Sequence, residues 1–454
     1  MIPEYLLKKY DREVPRYTSY PTVPFWKEMP DKGNYIADFK TNFNQYNTAY
    51  GISLYIHLPF CESLCTYCGC NKVITANHRV EEKYLNAILN EWYQYRRLMP
   101  ATPIIRQLHL GGGTPTFFSA DNLRRLLNCI FDIADIHPER EFSVEGHPNN
   151  TTKAHLKMLH LFGFRRISFG VQDHDPEVQR IINRIQPYEN VKKTTVWARE
   201  SGFSSVNYDL IYGLPRQTEK SIEKTVLDTI ALRPDRIAFY SYAHIPWKAR
   251  SQRLYDENDL PSPEQKLKFY TLSRELFLAS GYKDIGMDHF ALPSDDLYKA
   301  YKDGRLQRNF MGYTAAHTRF LLGLGVSAIS DTGTAYVQND KKLSNYYGRL
   351  NDSELPVLKG YFLNQTDVSF RQYILDISCR GKTRLHPGHK DLLEKNVLPE
   401  LKEMEADGLV IIQNKEIKVT ETGRMFLRNI CHAFDLKGKL YKNRDDKPKF
   451  SKSI

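Results

Sequence analysis

The sequence predicts an α/β protein built on a partly open (β/α)6 barrel, which corresponds to three quarters of a TIM-like barrel. Six short runs rich in β-branched and aromatic residues follow one another along the chain, and segments with helical periodicity lie between them. This alternation predicts a parallel sheet covered by its helices. Six units are too few for a closed eight-stranded barrel, so we expect a curved, partly open one, with an open doubly wound sheet as the alternative.

The predicted strands are short, and the predicted helices lie between or after them. The strands cover residues 52–58, 104–110, 141–145, 165–171, 205–211 and 236–242. The clearest helical segments cover residues 79–98, 119–134, 152–163 and 219–232. Serine or aspartate near several helix starts and glycine after other helices supply the expected caps.

The carboxyl ends of the predicted strands carry polar or glycine-rich segments. The first strand leads into four cysteines and the second into three consecutive glycines. The other four strands end near Glu145, Gln172, Asp209 and Ala243. Because the carboxyl ends of parallel strands meet at one edge of the sheet, we expect these groups to form one site at one rim.

We expect the chain to be divided into three segments. Residues 1–48 form an N-terminal extension that closes over the active site, and residues 49–355 form the barrel with the elements that follow it. Residues 356–454 form a mostly helical, winged-helix-like C-terminal domain with a basic tail, indicated by a helix, a hairpin near residues 413–416 and a final helix. This unit has no recognition helix rich in arginine or asparagine, so DNA binding is not favoured.

The composition indicates a globular protein. Of 454 residues, 41% are hydrophobic and 26% are charged. No apolar run approaches the roughly 20 residues that span a bilayer, and the charged N-terminal stretch does not match an export signal. We therefore expect a cytoplasmic monomer without a nucleic-acid or membrane partner, in which Cys129, Cys379 and Cys431 are free thiols.

The net charge of +11 has two contributions. Part of it lies in residues 436–454, which we interpret as a solvated tail. The remaining basic excess fits a substrate that carries several carboxylates.

Four of the seven cysteines lie within ten residues, in the stretch YIHLPFCESLCTYCGCNK. Their spacing is Cys61-x3-Cys65-x2-Cys68, followed by Cys70. A structural zinc site usually needs a second cysteine pair farther along the chain, and none follows here. Coincidental free thiols are a further alternative. The tight loop favours an iron-sulfur cluster bound by Cys61, Cys65 and Cys68.

Three cysteine ligands leave one iron of a [4Fe-4S] cube open. An open iron suits the amino and carboxylate groups of S-adenosylmethionine (SAM), and one electron from the cluster then cleaves a carbon-sulfur bond. The product is a 5′-deoxyadenosyl radical able to remove hydrogen from unactivated carbon. A fourth thiolate would close the cube, so we interpret Cys70 as a neighbouring thiol that does not bind iron.

Other residues at the predicted rim suit a nucleoside ligand. Missing side chains at glycines 111–113 would let the backbone approach a ligand, or the run forms only a tight turn. Glu145 and Asp209 suit hydrogen bonds from ribose hydroxyls or an amino group. Arg184 would pair with a carboxylate, although a lone arginine on a helix is usually a surface charge.

On these residues the chain resembles the radical SAM enzymes and, within them, the oxygen-independent coproporphyrinogen III oxidases, also called coproporphyrinogen dehydrogenases. The similar stretches extend over nearly the whole chain: PRYTSYPT, YIHLPFCESLCTYCGCNK, HLGGGTPT, ISFGVQDHDPEVQRIINR, VNYDLIYGLP, YAHIPW, IGMDHFALPSDDL, RNFMGYT and GLGVSAIS. Several of them are general to the superfamily, and together they are specific to this family.

The resemblance implies an activity and its cofactors. The protein would decarboxylate two propionate side chains of coproporphyrinogen III to vinyl groups, giving protoporphyrinogen IX in anaerobic haem biosynthesis. It would use a [4Fe-4S] cluster and two SAM molecules. A radical would remove a β-hydrogen from a propionate, CO2 would leave, and one further electron would pass to an unidentified acceptor. An electron donor, also unidentified, would supply the cluster.

The resemblance also implies roles for individual residues. The cluster ligands would be Cys61, Cys65 and Cys68, and the candidate catalytic residues are Tyr55 and Cys70, the latter retained without binding iron. Contacts to the cluster-bound SAM would come from Tyr55, Gly112, Glu145 and Ile329. Contacts to the second SAM would come from Tyr67, Gly113, Thr114, Gln172, Arg184, Asp209 and Ala243. Candidates for holding the propionates are Arg16, Arg184 and Arg319.

Two positions depart from the family pattern. Where the family often shows E-x-D-P after the third strand, this chain has Glu145-Gly146-His147-Pro148, which leaves the role of His147 open. Tyr67 stands where phenylalanine is common, a conservative change for stacking. Neither departure removes a cluster ligand.

Three other functions share part of the pattern. A related branch of the superfamily carries haem to other proteins, but it typically lacks the RYTSYP segment and the fourth cysteine, and both are present here. A radical enzyme that methylates and opens haem shares the cluster motif. A winged-helix DNA-binding regulator with a sensing cluster would leave the residues at the rim unexplained.

Overall fold

A computed structural model describes residues 3–29, 31–247, 249–441 and Phe450. Its centre is a thirteen-stranded sheet in which six consecutive parallel strands follow the predicted order. We number these strands β1 to β6; they are Ile52–Leu58, Ile104–Gly112, Asp135–Gly146, Phe164–Gln172, Ser205–Tyr212 and Arg236–Ser241. The α/β class and the six-unit parallel sheet are therefore confirmed.

The third strand is the one whose predicted bounds differ most from the structure. It begins at Asp135 rather than at residue 141. The register between β2 and β3 shifts after Ile105. Ile104 and Ile105 pair with Asp135 and Ile136, and the main ladder resumes at Gln107. The added residues are mostly polar and exposed, so hydrophobic periodicity gives no sign of them.

The sheet continues beyond the six predicted strands on both sides. Leu321–Leu324 adds a seventh parallel strand beside β1, with Leu322 opposite Leu54. Antiparallel strands complete the sheet at Lys27–Glu28, Lys283–Gly286, His289–Ala291, Ile329–Asp331, Ala335–Asn339 and Val357–Phe362. Smaller pairings involve Phe60–Cys61, Val73–Ile74, Gln307–Asn309 and Gly312–Thr314.

Helices cover the sheet and begin where the sequence supplies caps. Ser119, Thr152 and Thr218 each accept a hydrogen bond from a backbone N–H in the first turn of the helix that follows. The helices up to residue 351 are Glu4–Tyr10, Gly33–Tyr50, Val80–Leu98, Ala120–Phe131, Lys153–Leu161, Pro176–Ile181, Tyr188–Glu200, Glu219–Leu232, Pro263–Ala279, Asp296–Lys302 and Leu343–Asn351. The four predicted helical segments are confirmed within a few residues.

The C-terminal segment has the element order of a winged helix. The helix Gln365–Arg380 precedes a strand, two helices and a hairpin, and two short helices follow. These elements are Lys382–Arg384, Lys390–Asn396, Leu398–Ala406, Val410–Gln413, Glu416–Val419, Leu427–Ala433 and Leu436–Tyr441. The hairpin turns at Asn414 and Lys415, both with positive φ, as predicted for residues 413–416.

Two large hydrophobic cores and a smaller cluster around Ile211 and Tyr242 lie among the described residues. The larger core lies between the sheet and its helices and includes the fully buried Trp92. The second core lies in the C-terminal segment and includes Tyr10 and Tyr17 from the N-terminal segment. The Tyr17 hydroxyl donates to Asp435 at 2.9 Å, and the Asn429 side chain donates to the carbonyl of Tyr10 at 2.8 Å. The two ends of the chain thus pack against each other.

Among the helices of the described residues, none combines the length and the apolar character that crossing a membrane requires. Most of the predicted solvated tail, residues 442–449 and 451–454, lies outside the described residues.

Candidate functional site

The cysteine loop lies at the carboxyl end of β1. The short strands Phe60–Cys61 and Val73–Ile74 pair in parallel and hold the two ends of the loop together. Between them, Cys61, Cys65 and Cys68 line one cavity of about 420 Å³. We call this cavity the cysteine cavity.

Polar groups from other strands and helices contact the thiols. The Thr114 hydroxyl donates to the Cys61 sulfur at 3.3 Å, and an Arg184 Nη donates to the Cys65 sulfur at 3.5 Å. Burial raises the pKa of the Cys61 thiol to about 11. A hydrogen bond from the Cys70 thiol lowers the pKa of Cys68 to about 6 and raises that of Cys70. Donors therefore converge on sulfur, as around thiolate ligands.

The thiol arrangement fits a cluster better than a single ion. Among the described residues, no group of three His, Cys, Asp or Glu side chains is positioned to hold one metal ion. A tetrahedral zinc ion would draw its sulfur ligands to about 2.3 Å from one point. Cysteines that bind different corners of an iron-sulfur cube stand farther apart around a larger volume. The cysteine cavity, with three thiols on its wall, therefore fits a [4Fe-4S] cluster.

Most of the residues predicted at the rim lie together around the cysteine cavity. The residues that line it outside the loop include Gly112, Gly113, Thr114, Glu145, His147, Gln172, Arg184, Asp209 and Tyr240, together with Tyr67 from the loop itself. Gln172 ends β4 with φ of 66°, a left-handed conformation that is uncommon for a residue other than glycine. Such outliers concentrate at functional sites.

Asp209 and Arg184 face this cavity with defined partners. Asp209 accepts hydrogen bonds from Ser168 at 2.8 Å and from Asn207 at 2.9 Å. Burial raises the pKa of Asp209 to about 6, a change that these two hydrogen bonds oppose. Arg184 donates to the carbonyl of Gly170 at 2.6 Å. Its guanidinium is therefore fixed between the β4 backbone and the cysteine loop and is not the surface charge of the alternative interpretation.

A second cavity of about 390 Å³ adjoins the first. Tyr55 and Ile329, predicted to contact the cluster-bound SAM, line this second cavity. Glu145 and Tyr240 line both cavities. Most residues predicted for the second SAM therefore lie around the cysteine cavity, whereas those predicted for the cluster-bound SAM are shared between the two cavities, which meet at Glu145.

Glu145 is held in its ionised form. It accepts hydrogen bonds from the Gly112 N–H at 3.0 Å and from His109 at 3.3 Å. Burial alone would raise the pKa of this carboxyl, but the hydrogen bonds and the nearby imidazoles hold it below its usual value. A fixed negative charge thus lies at the junction of the two cavities.

Tyr55 is oriented by a histidine two residues along β1. The His57 Nε2–H donates to the carbonyl of Asn71 at 2.9 Å, which leaves Nδ1 to accept from the Tyr55 hydroxyl at 3.0 Å. Burial lowers the pKa of His57, which keeps this ring neutral. The Tyr55 ring also lies nearly parallel to that of His109, with centroids 5.9 Å apart.

The glycine run has a structural requirement of its own. Gly112 has φ of 121°, and a Cβ there would lie 2.7 Å from the His57 ring. A Cβ at Gly113 would lie 2.5 Å from the carbonyl oxygen of Pro59. The protein itself therefore requires these glycines, in addition to any ligand that approaches them.

Two predicted residues lie apart from the cavities. Arg319 lines a different cavity, which Arg308 also borders, and stacks over Tyr50 at 5.4 Å, so its contact with propionates stays a prediction. Ala243 follows β6, and its carbonyl accepts from Gln252 at 3.2 Å; it is not among the described residues that line the two cavities. The segment after β6 turns away to pack on the cysteine loop.

His147 lies on the wall of the cysteine cavity. Burial and the nearby Arg184 lower its pKa to about 3, so the ring is neutral at physiological pH. Its Nδ1 accepts from the backbone N–H of Asn149 at 3.1 Å. The imidazole caps the turn after β3, a contact that an aspartate would also make.

The sequence analysis missed the basic residues of the second cavity. Arg308 and Arg428 line it together with the predicted Arg16. They come from a short hairpin and a short C-terminal helix, where an isolated arginine carries no local signal. The RNFMGYT stretch, which begins at Arg308, contributes to the family resemblance but gives no sign that Arg308 faces a cavity.

Known proteins are similar to this chain over nearly its whole length. A family model described as the radical SAM superfamily matches residues 55–229. Oxygen-independent coproporphyrinogen III oxidase from Pseudomonas aeruginosa is 38% identical over 95% of this chain and 95% of its own length. The protein of the same description from Escherichia coli K12 is 40% identical, over 95% of this chain and 94% of its own length.

A solved structure extends this similarity to three dimensions. Coproporphyrinogen III oxidase from Escherichia coli, described as a radical SAM enzyme, matches with a TM-score of 0.89 at 37% identity. The match covers 96% of this chain and 99% of that one. Both the barrel and the terminal segments therefore have counterparts in that protein.

Proposed function

The chain belongs to the oxygen-independent coproporphyrinogen III oxidases of the radical SAM superfamily, and from that premise we propose that it decarboxylates coproporphyrinogen III. Two propionate side chains become vinyl groups, and the product is protoporphyrinogen IX of anaerobic haem biosynthesis. The reaction is oxidative, so each decarboxylation transfers electrons away from the substrate as CO2 leaves.

A [4Fe-4S] cluster and SAM supply, when bound, the one-electron cleavage that provides radical chemistry at an unactivated carbon. Cys61, Cys65 and Cys68 hold the cluster. Thr114 and Arg184 donate hydrogen bonds to two of these sulfurs, which stabilises their thiolate forms. Cys70 remains a thiol that donates to Cys68 and would not itself bind iron.

The two SAM molecules occupy adjoining positions. Residues for the cluster-bound molecule are Tyr55, Gly112, Glu145 and Ile329. Residues for the second molecule are Tyr67, Gly113, Thr114, Gln172, Arg184, Asp209 and Ala243, although Ala243 lacks support from the cavity lining. Carboxylates such as Glu145 and Asp209 suit ribose hydroxyls or an ammonium group.

The observation that carries the proposal is the adjacency of two chemically different cavities. One contains three thiols of a cluster motif, and the other, of similar volume, is lined by arginines and aromatic rings. Glu145 and Tyr240 belong to both walls. A substrate in the second cavity therefore lies next to the place where the radical is produced, which hydrogen abstraction requires.

The proposal needs neither a general base nor a second metal. Loss of CO2 from a substrate radical requires only that the radical form beside the carboxylate and that an acceptor remove one further electron. His57 is neutral and is used to orient Tyr55, which leaves it as a positioning residue.

We also propose a cytoplasmic monomer that depends on separate carriers for electron donation and acceptance. The cysteines Cys129, Cys379 and Cys431 are free thiols, which is consistent with a reducing compartment. Light scattering of the purified protein tests the monomer, and a mass of twice the chain would contradict it.

Anaerobic turnover tests the function. The cluster-loaded protein, given a reductant, SAM and coproporphyrinogen III, is expected to release CO2 and form protoporphyrinogen IX. Chromatography of the oxidised porphyrins distinguishes the vinyl products. Steady SAM cleavage without any vinyl product, at full iron loading, would contradict the assignment and favour a haem carrier or a haem-degrading relative.

A further inference from the structure

Three arginines from distant parts of the chain meet at the second cavity. Arg16 comes from the N-terminal segment, Arg308 from the hairpin of Gln307–Asn309 and Gly312–Thr314, and Arg428 from the helix Leu427–Ala433. The packing of the N-terminal segment on the C-terminal core brings them together. We call these residues the arginine cluster.

Arg308 has donors that no protein group uses. Its residue is only 9% exposed, and its Nε and Nη1 atoms are buried without a hydrogen-bond partner among the described residues. Its other Nη donates to the backbone carbonyl of Arg16 at 3.3 Å, and its guanidinium lies 4.6 Å from the ring centre of Tyr313. Unpaired guanidinium N–H groups are costly to bury, so a ligand that accepts hydrogen bonds fits this position.

Arg16 and Arg428 are both held in place by hydrogen bonds to backbone carbonyls. Arg16 donates to the carbonyl of Ser241 at 3.0 Å, and its guanidinium stacks on Tyr240 at 5.1 Å. Arg428 is 8% exposed and donates to the carbonyl of Val14. Burial and the proximity of Arg16 lower the pKa of Arg428 to about 10. Arg428 therefore remains positively charged at neutral pH.

Acidic groups only partly balance this charge. Asp288 lies 3.9 Å from Arg16 and lines the cavity, while Glu145 is engaged by Gly112 and His109 at the junction. Asp288 and its neighbour Met287 both have positive φ, a strained turn that points to a functional constraint. One carboxylate beside three guanidiniums leaves a positive excess on this wall.

A neighbouring histidine adds no charge of its own. Burial and the proximity of Arg308 lower the pKa of His289 to about 3. Its Nδ1–H donates to the carbonyl of Met287 at 2.7 Å. The positive character of the wall therefore comes from the arginines alone at neutral pH.

We propose that Arg308, supported by Arg16 and Arg428, binds carboxylate groups of the substrate's propionates in the second cavity. Guanidinium and carboxylate form paired, charge-assisted hydrogen bonds, and Arg308 offers two unused donors for them. This inference rests on the proposed function for the identity of the substrate. Arg308 takes the propionate-binding role that the sequence predicts for Arg319, and Arg184 belongs to the cysteine cavity.

Binding of a fluorescent analogue tests the arginine cluster directly. Coproporphyrin III, the oxidised form of the substrate, and its tetramethyl ester are titrated into the cluster-loaded protein, and quenching gives their affinities. Arg308→Gln is expected to weaken binding of the free acid at least about tenfold, because a charge-assisted hydrogen bond is lost. Binding of the ester is expected to change less than about twofold. Arg308→Lys is expected to recover part of the loss.

Three controls separate binding from folding. Arg319→Gln, an exposed arginine in another cavity, should leave both affinities unchanged. Iron content and the circular dichroism spectrum should match those of the unmodified protein in every variant, which shows that the fold and the cluster are retained. The Arg16 side chain is 34% exposed, so Arg16→Gln provides a second test if Arg308→Gln does not fold.

The outcomes are distinguishable. Equal affinity of Arg308→Gln and the unmodified protein for the free acid, or an equal loss for acid and ester, would overturn the proposal. Arginine-dependent binding of coproporphyrin III by a protein that forms no vinyl product would support the arginine cluster and contradict the proposed function. Normal turnover with an unaltered KM in Arg308→Gln would support the proposed function and contradict the role of the arginine cluster.

Discussion

Replacing Glu145 with glutamine removes the negative charge at the junction of the two cavities. The carboxylate accepts from the Gly112 N–H at 3.0 Å and from His109 at 3.3 Å, and these groups lower its pKa. A glutamine retains one acceptor oxygen and presents an NH2 group in place of the other. It can therefore satisfy the protein donors only in part and cannot act as a charged acceptor for SAM.

The size of the effect follows from the bond that is lost. A hydrogen bond to a charged group contributes about 1.5–3 kcal/mol, which corresponds to a roughly 10- to 150-fold weaker affinity. We expect Glu145→Gln to weaken SAM binding by this factor while retaining the cluster, since Glu145 is not a thiol ligand. Equilibrium dialysis of labelled SAM under anaerobic conditions measures the affinity, and iron analysis reports the cluster.

Glu139→Gln is the matched control. Glu139 lies on the same strand, its side chain is 77% exposed, and its partner is Arg106 at 2.7 Å. This variant should bind SAM as the unmodified protein does. A Glu145→Gln protein with full iron content and a SAM affinity within about twofold of the unmodified protein would refute the reasoning.

Three further changes test the thiols, the glycine run and a titrating carboxyl. Cys70→Ser should retain a full cluster, whereas Cys68→Ser should lose iron and the visible absorption of the cluster; loss of iron from both would contradict the three-ligand arrangement. Gly112→Ala should destabilise the protein by about 1–3 kcal/mol in urea unfolding, because φ is 121° and the new Cβ would meet a histidine ring at 2.7 Å. Gly348→Ala, in a helix with no atom within 4 Å of its Cβ position, should be neutral or slightly stabilising, and equal effects at the two glycines would contradict this. Asp209 has a pKa of about 6 in the folded protein, above its ordinary value. Protonated Asp209 therefore favours the folded state at low pH, and this contribution to the stability of the protein is lost as the pH rises through about 6. Asp209→Asn should therefore gain about 1–3 kcal/mol relative to the unmodified protein between about pH 4 and about pH 7, and a pH-independent difference would refute the assignment.

The sequence alone was sufficient for the parts of the protein that depend on local pattern. The six parallel strands follow from short β-branched runs between periodic helices, and their common polarity places the carboxyl ends at one rim. The cysteine spacing is also local, since Cys61, Cys65 and Cys68 lie within one loop. Chemistry that requires only this loop and the strand ends was therefore predictable.

Only the tertiary structure decided how the predicted residues divide between two cavities. Tyr55 and Gly112 are assigned to the same SAM molecule by resemblance, yet they line different cavities, and Glu145 joins them. That division depends on which way each side chain leaves its strand and on how the barrel curves. The periodicity of the sequence reports neither the direction of these side chains nor the curvature of the barrel.

The arginine cluster could not be predicted from the sequence for the same reason. Arg16, Arg308 and Arg428 are separated by more than a hundred residues in each case, and each lies in a short element or loop without a distinctive pattern. Arg319, a candidate from the sequence together with Arg16 and Arg184, lines another cavity that Arg308 also borders. Which arginines meet is set by the packing of the N-terminal segment against the C-terminal core, a long-range contact that leaves no periodic trace in the chain.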